Sequence, residues 1–132
     1  MNIKGVLFDL DGTLLDTSEL IVESFRYTFK QHCNYDISVS EVHDFFGKSL
    51  RLAMETLGKD KADELIDTYR EHNAKYHDEK IAIFPEVAET IKTMYDNGIK
   101  LAVVTSKTKK TALRGLKLFG LESYFSTVIG IN

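Results

Sequence analysis

The sequence predicts an α/β fold: a parallel sheet of about three strands interrupted by an all-helical insertion. Two apolar stretches, Ile3 to Phe8 and Ile99 to Val104, have the Val, Leu, Ile and Phe content of strands buried on both faces of a parallel sheet. Residues 17–80 between them carry helical periodicity and no strand-like alternation. Strands alternating with helices imply right-handed crossovers and a parallel sheet.

In chain order, a strand over about 3–9 runs into the loop Asp9-Leu10-Asp11-Gly12-Thr13-Leu14. Ile21, Phe25, Thr28, Phe29 and His32 share one face of a helix over 17–33. Ser38 followed by Glu41 is a capping-box signature, and Gly47 stops that short helix. Leu50, Ala53, Met54 and Leu57 form the next stripe, closed by Gly58. Ala62, Leu65, Ile66, Tyr69, Asn73 and Tyr76 predict a longer helix at about 61–77. Pro85 suits the first turn of a helix over 86–97, with Val87, Ile91 and either Met94 or Tyr95 inward and Gly98 as its stop. The second strand ends on Thr105-Ser106. A helix over about 108–119 carries Leu113, Leu116 and Phe119 and is capped by Gly120; a strand over 127–131 ends the order. The core is therefore expected at 1–15 and 82–132, with a helical cap at 16–81. Following directly on the Asp-x-Asp loop, these helices are expected to form a lid at the strand's carboxyl end.

Composition narrows the function classes. Hydrophobic and charged fractions of 43% and 28% are those of an ordinary globular protein. A net charge of −3 supplies no basic face for nucleic acid, and no segment approaches the roughly 20 apolar residues of a membrane span. Asp9 and Asp11 interrupt the first apolar run too early for a signal peptide. Cys33 is the single cysteine, so no internal disulfide forms and a reducing, cytoplasmic compartment is expected.

The chemistry concentrates where the first strand ends. Residues two apart on a strand point to one side, so Asp9 and Asp11 can converge at the carboxyl end, where open α/β sheets bind ligands. A carboxylate can attack a phosphoryl group, Mg²⁺ with oxygen ligands can screen the approach of two anions, and the second carboxylate can serve as acid and base. Gly12 would let the backbone approach a phosphate, and successive N–H groups there could form an anion nest. The Thr105 hydroxyl and the Ser106 N–H are candidate phosphate donors at a helix start, where Thr-Ser is also an ordinary N-cap. Lys107, Lys109, Lys110, Arg114 and Lys117 read as a solvated face, with Lys107 close enough to attract an anionic substrate. The four histidines, at 32, 43, 72 and 77, show no ligand-like pairing, and Asp16 reads as a helix cap at the hinge.

An apolar strand followed by Asp9-Leu10-Asp11-Gly12-Thr13-Leu14 resembles motif I of the haloacid dehalogenase superfamily. The resemblance implies a Rossmann-like core with a helical cap, Asp9 as nucleophile, Asp11 as general acid/base, and Mg²⁺ held by the Asp9 carboxylate and by Asp11 through its carbonyl oxygen. Thr105 resembles the motif II hydroxyl that contacts the transferring phosphoryl group. Phe46-Gly47-Lys48-Ser49-Leu50 resembles the cap loop, which would bring Lys48 to the substrate. Dehalogenases lack the second Asp, so Asp11 implies phosphoryl chemistry. Leu50 stands where β-phosphoglucomutases carry a phosphate-gripping Arg, which argues against a mutase.

Across the chain, Asp16 to Ile21, Tyr69-Arg70, His77-Asp78-Glu79 and Gly115 to Leu118 resemble the bacterial inorganic pyrophosphatases of the HPr kinase/phosphorylase system, with phosphoglycolate phosphatases as near relatives. Pyrophosphate and a small phosphomonoester both remain open as substrates. The family's motif III Lys and motif IV acidic cluster normally follow the third strand, and the chain ends at Gly130-Ile131-Asn132. A truncated chain is therefore expected. The motif IV strand would flank the Asp9 strand, so a chain lacking it would leave an apolar edge able to pair with a second copy.

Overall fold

The computed structural model describes residues 2–131 and divides the chain into two compact units. One comprises the residues up to Asp16 and from Ile81 onward; the other is Thr17–Lys80.

In the first unit, β1 (Gly5–Phe8) precedes β2 (Leu15–Asp16), and after the helical unit the chain continues through β3 (Ala82–Ile83). Leu15 pairs with Ile83 and Asp16 with Ala82, so this two-stranded antiparallel ribbon ties the outgoing and returning chain together. Helix α5 (Val87–Asp96), β4 (Lys100–Thr108), helix α6 (Lys109–Leu118) and β5 (Phe125–Ile131) follow. The sheet order is β1-β4-β5 with both pairings parallel. Leu101 and Val103 of β4 pack with Leu10, Leu14, Ile91, Ala112, Leu116 and Leu121, and Val6, Phe8, Val87 and Met94 pack against this cluster. Of the two candidates for the inner face of α5, Met94 joins the core while Tyr95 is 50% exposed.

Burial on both faces of β1 is not what the structure shows. Among the described residues β1 pairs with β4 alone, and Leu7 is 73% exposed. Val104 and Ile129 share that open face, because Leu7 pairs with Ala102 and Val104 with Ile129. A continuous apolar run reports that both faces favour cover, but α5 and α6 both contribute to the same cluster and cover one face.

Two helix starts also differ from expectation. Phe84 accepts the Val87 N–H across a turn with Pro85 second and Glu86 third, and Glu86 takes φ +67 there. That is a type II turn, so Pro85 precedes the helix instead of opening it. The cap of α6 is Thr108, whose hydroxyl accepts the Thr111 N–H; β4 runs straight through Thr105-Ser106.

The second unit contains α1 (Ser18–Cys33), α2 (Val39–His43), α3 (Leu50–Gly58) and α4 (Ala62–Lys80). Its core joins Phe25 and Phe29 of α1 to Val42, Ala53, Met54, Leu65, Ile66 and Tyr69. The capping box forms as the Ser38–Glu41 spacing predicts. The buried stripe of α1 is rotated toward Leu20 and Ser24, leaving Ile21 and His32 half-buried. Thr17, not Asp16, is the N-cap of α1.

Polar groups lie where α1 meets α4. His72 sits 4.7 Å, centroid to centroid, from both Tyr27 and Tyr76, and its Nδ1 is 3.0 Å from Ser24 Oγ. Burial holds its imidazole below the ordinary histidine value, Lys75 adds to that, and Glu23 opposes it. A base with a depressed folded-state pKa is protonated preferentially in the unfolded chain, so its contribution is present above the unfolded value of 6.5 and is lost as pH falls below it. The melting temperature should therefore drop more between about pH 7 and pH 5 for the wild type than for His72→Gln. Parallel pH dependences would refute this.

Candidate active site

The loop after β1 is closed by its own backbone. The Leu10 side chain is 1% exposed and anchors the loop in the core. The Leu10 carbonyl accepts N–H groups from Thr13 (3.3 Å), Leu14 (2.9 Å) and Leu15 (3.1 Å). Gly12 takes φ +79 and donates its N–H to the Leu15 carbonyl at 2.9 Å. A left-handed backbone of this kind favours glycine. The same bonds correct the expected anion nest: the N–H groups of Gly12, Thr13 and Leu14 are engaged within the loop.

Asp9 is exposed at the end of β1, and its Oδ1 accepts the Leu10 N–H at 2.8 Å. One carboxylate oxygen is thereby oriented, while among the described residues the other accepts no such bond. Asp11 is half-buried and pairs with Leu15 in an isolated bridge. Its Oδ1 lies 3.3 Å from Lys107 Nζ.

The other side of the site comes from β4. Phe8 pairs with Val103, so Asp9 and Thr105 lie one and two residues beyond the same level of adjacent strands. Thr105 is 8% exposed, and its Oγ1 accepts the Lys107 N–H at 3.2 Å, leaving the hydroxyl hydrogen to be donated. Ser106 is half-buried within β4, so its N–H is not at a helix start.

Register explains this arrangement. Val104 pairs with Ile129 and Thr108 with Ile131, so β4 advances four residues while β5 advances two. Bulges of this kind re-aim side chains at functional sites. Gly130 lies opposite, where a Cβ would come 2.5 Å from the Lys107 carbonyl oxygen and 2.7 Å from the Lys109 nitrogen. Sequence reading missed this role, although an isolated glycine in a strand pattern is the usual signal of close backbone approach.

The remaining candidates are Thr13, exposed in the loop, and Lys48, exposed in the helical unit with Nζ 5.6 Å from the Phe45 ring centroid. Among the described residues no group of three or more His, Cys, Asp or Glu side chains gathers as a metal site. The exposed Asp9 carboxylate nevertheless fits Mg²⁺, which is commonly bound by one or two carboxylates together with water and phosphate oxygens.

Residues 6–132 match the family model described as haloacid dehalogenase-like hydrolase. The chain is 47% identical over 132 residues to a provisionally named pyrophosphatase PpaX of Caldanaerobacter subterraneus, covering 100% of this chain and 60% of the relative. It is 39% identical over 132 residues to the pyrophosphatase PpaX of Halalkalibacterium halodurans, with 100% and 61% covered. A solved haloacid dehalogenase-like hydrolase from Streptococcus pneumoniae superposes with a TM-score of 0.89 at 27% identity, covering 98% of this chain and 62% of that one. The chain thus spans about three fifths of the length of these relatives. With an Asp-x-Asp loop at the end of a parallel strand, a buried threonine on the neighbouring strand and a family match over nearly its whole length, the chain belongs to the haloacid dehalogenase-like hydrolase family.

Proposed function

We propose that the protein is a Mg²⁺-dependent phosphohydrolase working through an aspartyl-phosphate, with pyrophosphate as substrate. The observation that carries this reading is Asp9: exposed at the end of β1, oriented through Oδ1, with the buried Thr105 hydroxyl near the end of the adjacent parallel strand. The free oxygen of Asp9 attacks phosphorus, the bond from phosphorus to the leaving oxygen breaks, and protonated Asp11 gives that oxygen its proton. The Asp11 carboxylate then takes a proton from water, the water oxygen attacks phosphorus, and phosphate leaves as the Asp9 carboxylate is regenerated. Thr105 donates to the transferring group, with the Thr13 side chain and Ser106 as further contacts and Gly12 acting through its backbone conformation. Asp9 and Asp11 would hold Mg²⁺, which when bound offsets charge between the anionic substrate and the carboxylates.

Pyrophosphate follows from the names of the relatives at 47% and 39% identity. The helical unit corresponds to the family's cap by its insertion between the paired strands β2 and β3. The test is phosphate release from pyrophosphate and from phosphoglycolate, each with Mg²⁺ and with chelator. Chelator-sensitive release with kcat/KM at least about tenfold higher for pyrophosphate is expected; the reverse preference would select a phosphomonoester phosphatase instead.

A second reading has its own support. The side of β1 that has no strand partner among the described residues and the open apolar face of Leu7, Val104 and Ile129 suit pairing with a second copy. Light scattering after size-exclusion chromatography should then give a dimer mass, and a monomer across the concentration range would remove this reading.

A further inference from the structure

Lys107 reaches both parts of the site. Its backbone N–H donates to Thr105 Oγ1 at 3.2 Å, and its Nζ lies 3.3 Å from Asp11 Oδ1. The two charged side chains are 17% and 20% exposed, so water and salt screen this pair less than an exposed one. Lys109 and Lys110, next along the chain, are exposed, as a solvated face requires. Lys107 differs because it belongs to the segment where β4 advances four residues against two of β5.

We propose that Lys107 is the positioning residue for Asp11. The ammonium holds the carboxylate at one point of the site while the N–H of the same residue holds the Thr105 hydroxyl. A single residue thereby aligns the loop after β1 with the end of β4. The proposal rests on the acid/base role given to Asp11 above. It also has a consequence for charge in the substrate-free site: when Asp9 and Asp11 are both ionised, Lys107 offsets one of their two negative charges. An arriving divalent cation therefore meets a less negative site, while the orientation of Asp11 is retained.

Lys107→Met keeps the length of the side chain and removes its charge, and it should move two quantities in opposite directions. Mg²⁺ affinity, measured by calorimetry without substrate, should rise about threefold or more because a repelling charge is gone. The kcat for pyrophosphate should fall about tenfold or more with KM nearly constant, because Asp11 loses the ammonium that aligns it. Lys107→Arg should restore most of kcat, and Lys110→Met, the same charge change on an exposed position, should alter neither quantity. Unchanged or weaker Mg²⁺ binding in Lys107→Met overturns the proposal, as does an undiminished kcat. If the wild-type chain releases no phosphate, the Mg²⁺ titration, which needs no turnover, still decides whether Lys107 offsets Asp11.

Discussion

Asp9→Asn should reduce phosphate release from pyrophosphate by about 10³-fold or more. The substitution is nearly isosteric, and the carboxamide oxygen can still accept the Leu10 N–H that fixes Asp9 at 2.8 Å. What disappears is the anionic oxygen that forms the bond to phosphorus, and a neutral amide is a poor nucleophile. Asp9 is exposed, so its replacement leaves no buried charge unpaired and should leave the melting temperature close to wild type. Comparing the two quantities separates chemistry from folding. A folded Asp9→Asn variant that retains the wild-type rate would eliminate Asp9 as nucleophile and with it the aspartyl-phosphate route.

Gly130→Ala should have the larger effect on stability. The added methyl would lie 2.5 Å from the Lys107 carbonyl oxygen, 2.7 Å from the Lys109 nitrogen and 3.0 Å from the Thr108 carbonyl carbon. All three are backbone atoms held between a paired strand and a capped helix, so they cannot rotate away as a side-chain tip would. Overpacking of this kind costs about 1–3 kcal/mol, which for a chain of this size lowers the melting temperature by several degrees. Turnover should fall as well, because relief of the clash displaces the segment that carries Thr105 and Lys107. Gly12→Ala is the instructive contrast. A Cβ there meets nothing within 4 Å, but φ is +79, so its cost is that of left-handed backbone alone, about 1 kcal/mol. A Gly130→Ala variant as stable as wild type would show that β5 accommodates the methyl and that the bulge is not packed as described.

The residues differ in how legible they were. The helices of the 17–80 segment follow from periodicity, and the Ser38–Glu41 capping box from a three-residue spacing that permits little else. Leu7 misleads because apolar composition records a preference for cover without revealing which elements supply it. Ser106 and Pro85 mislead for a related reason. Thr105-Ser106 and Thr108 are both acceptable caps by residue type, and the pairing of Thr108 with Ile131 extends β4 to the second of them. Pro85 satisfies a helix start and a type II turn equally well, and the ribbon formed by Ala82-Ile83 leads the chain into the turn.

By itself the sequence determined the fold class, the helical insertion and the two carboxylates at the end of a parallel strand, since each is written in a local pattern of residue types. Tertiary structure decided that the N–H groups of Gly12, Thr13 and Leu14 are spent on the loop's own carbonyls, that Lys107 meets Asp11, and that Gly130 makes room for the bulge. These depend on backbone bonds within a closed loop and on the register between strands far apart in the chain. Residue type does not encode that register; it emerges when the apolar sides of β1, β4 and β5 are brought onto one shared core.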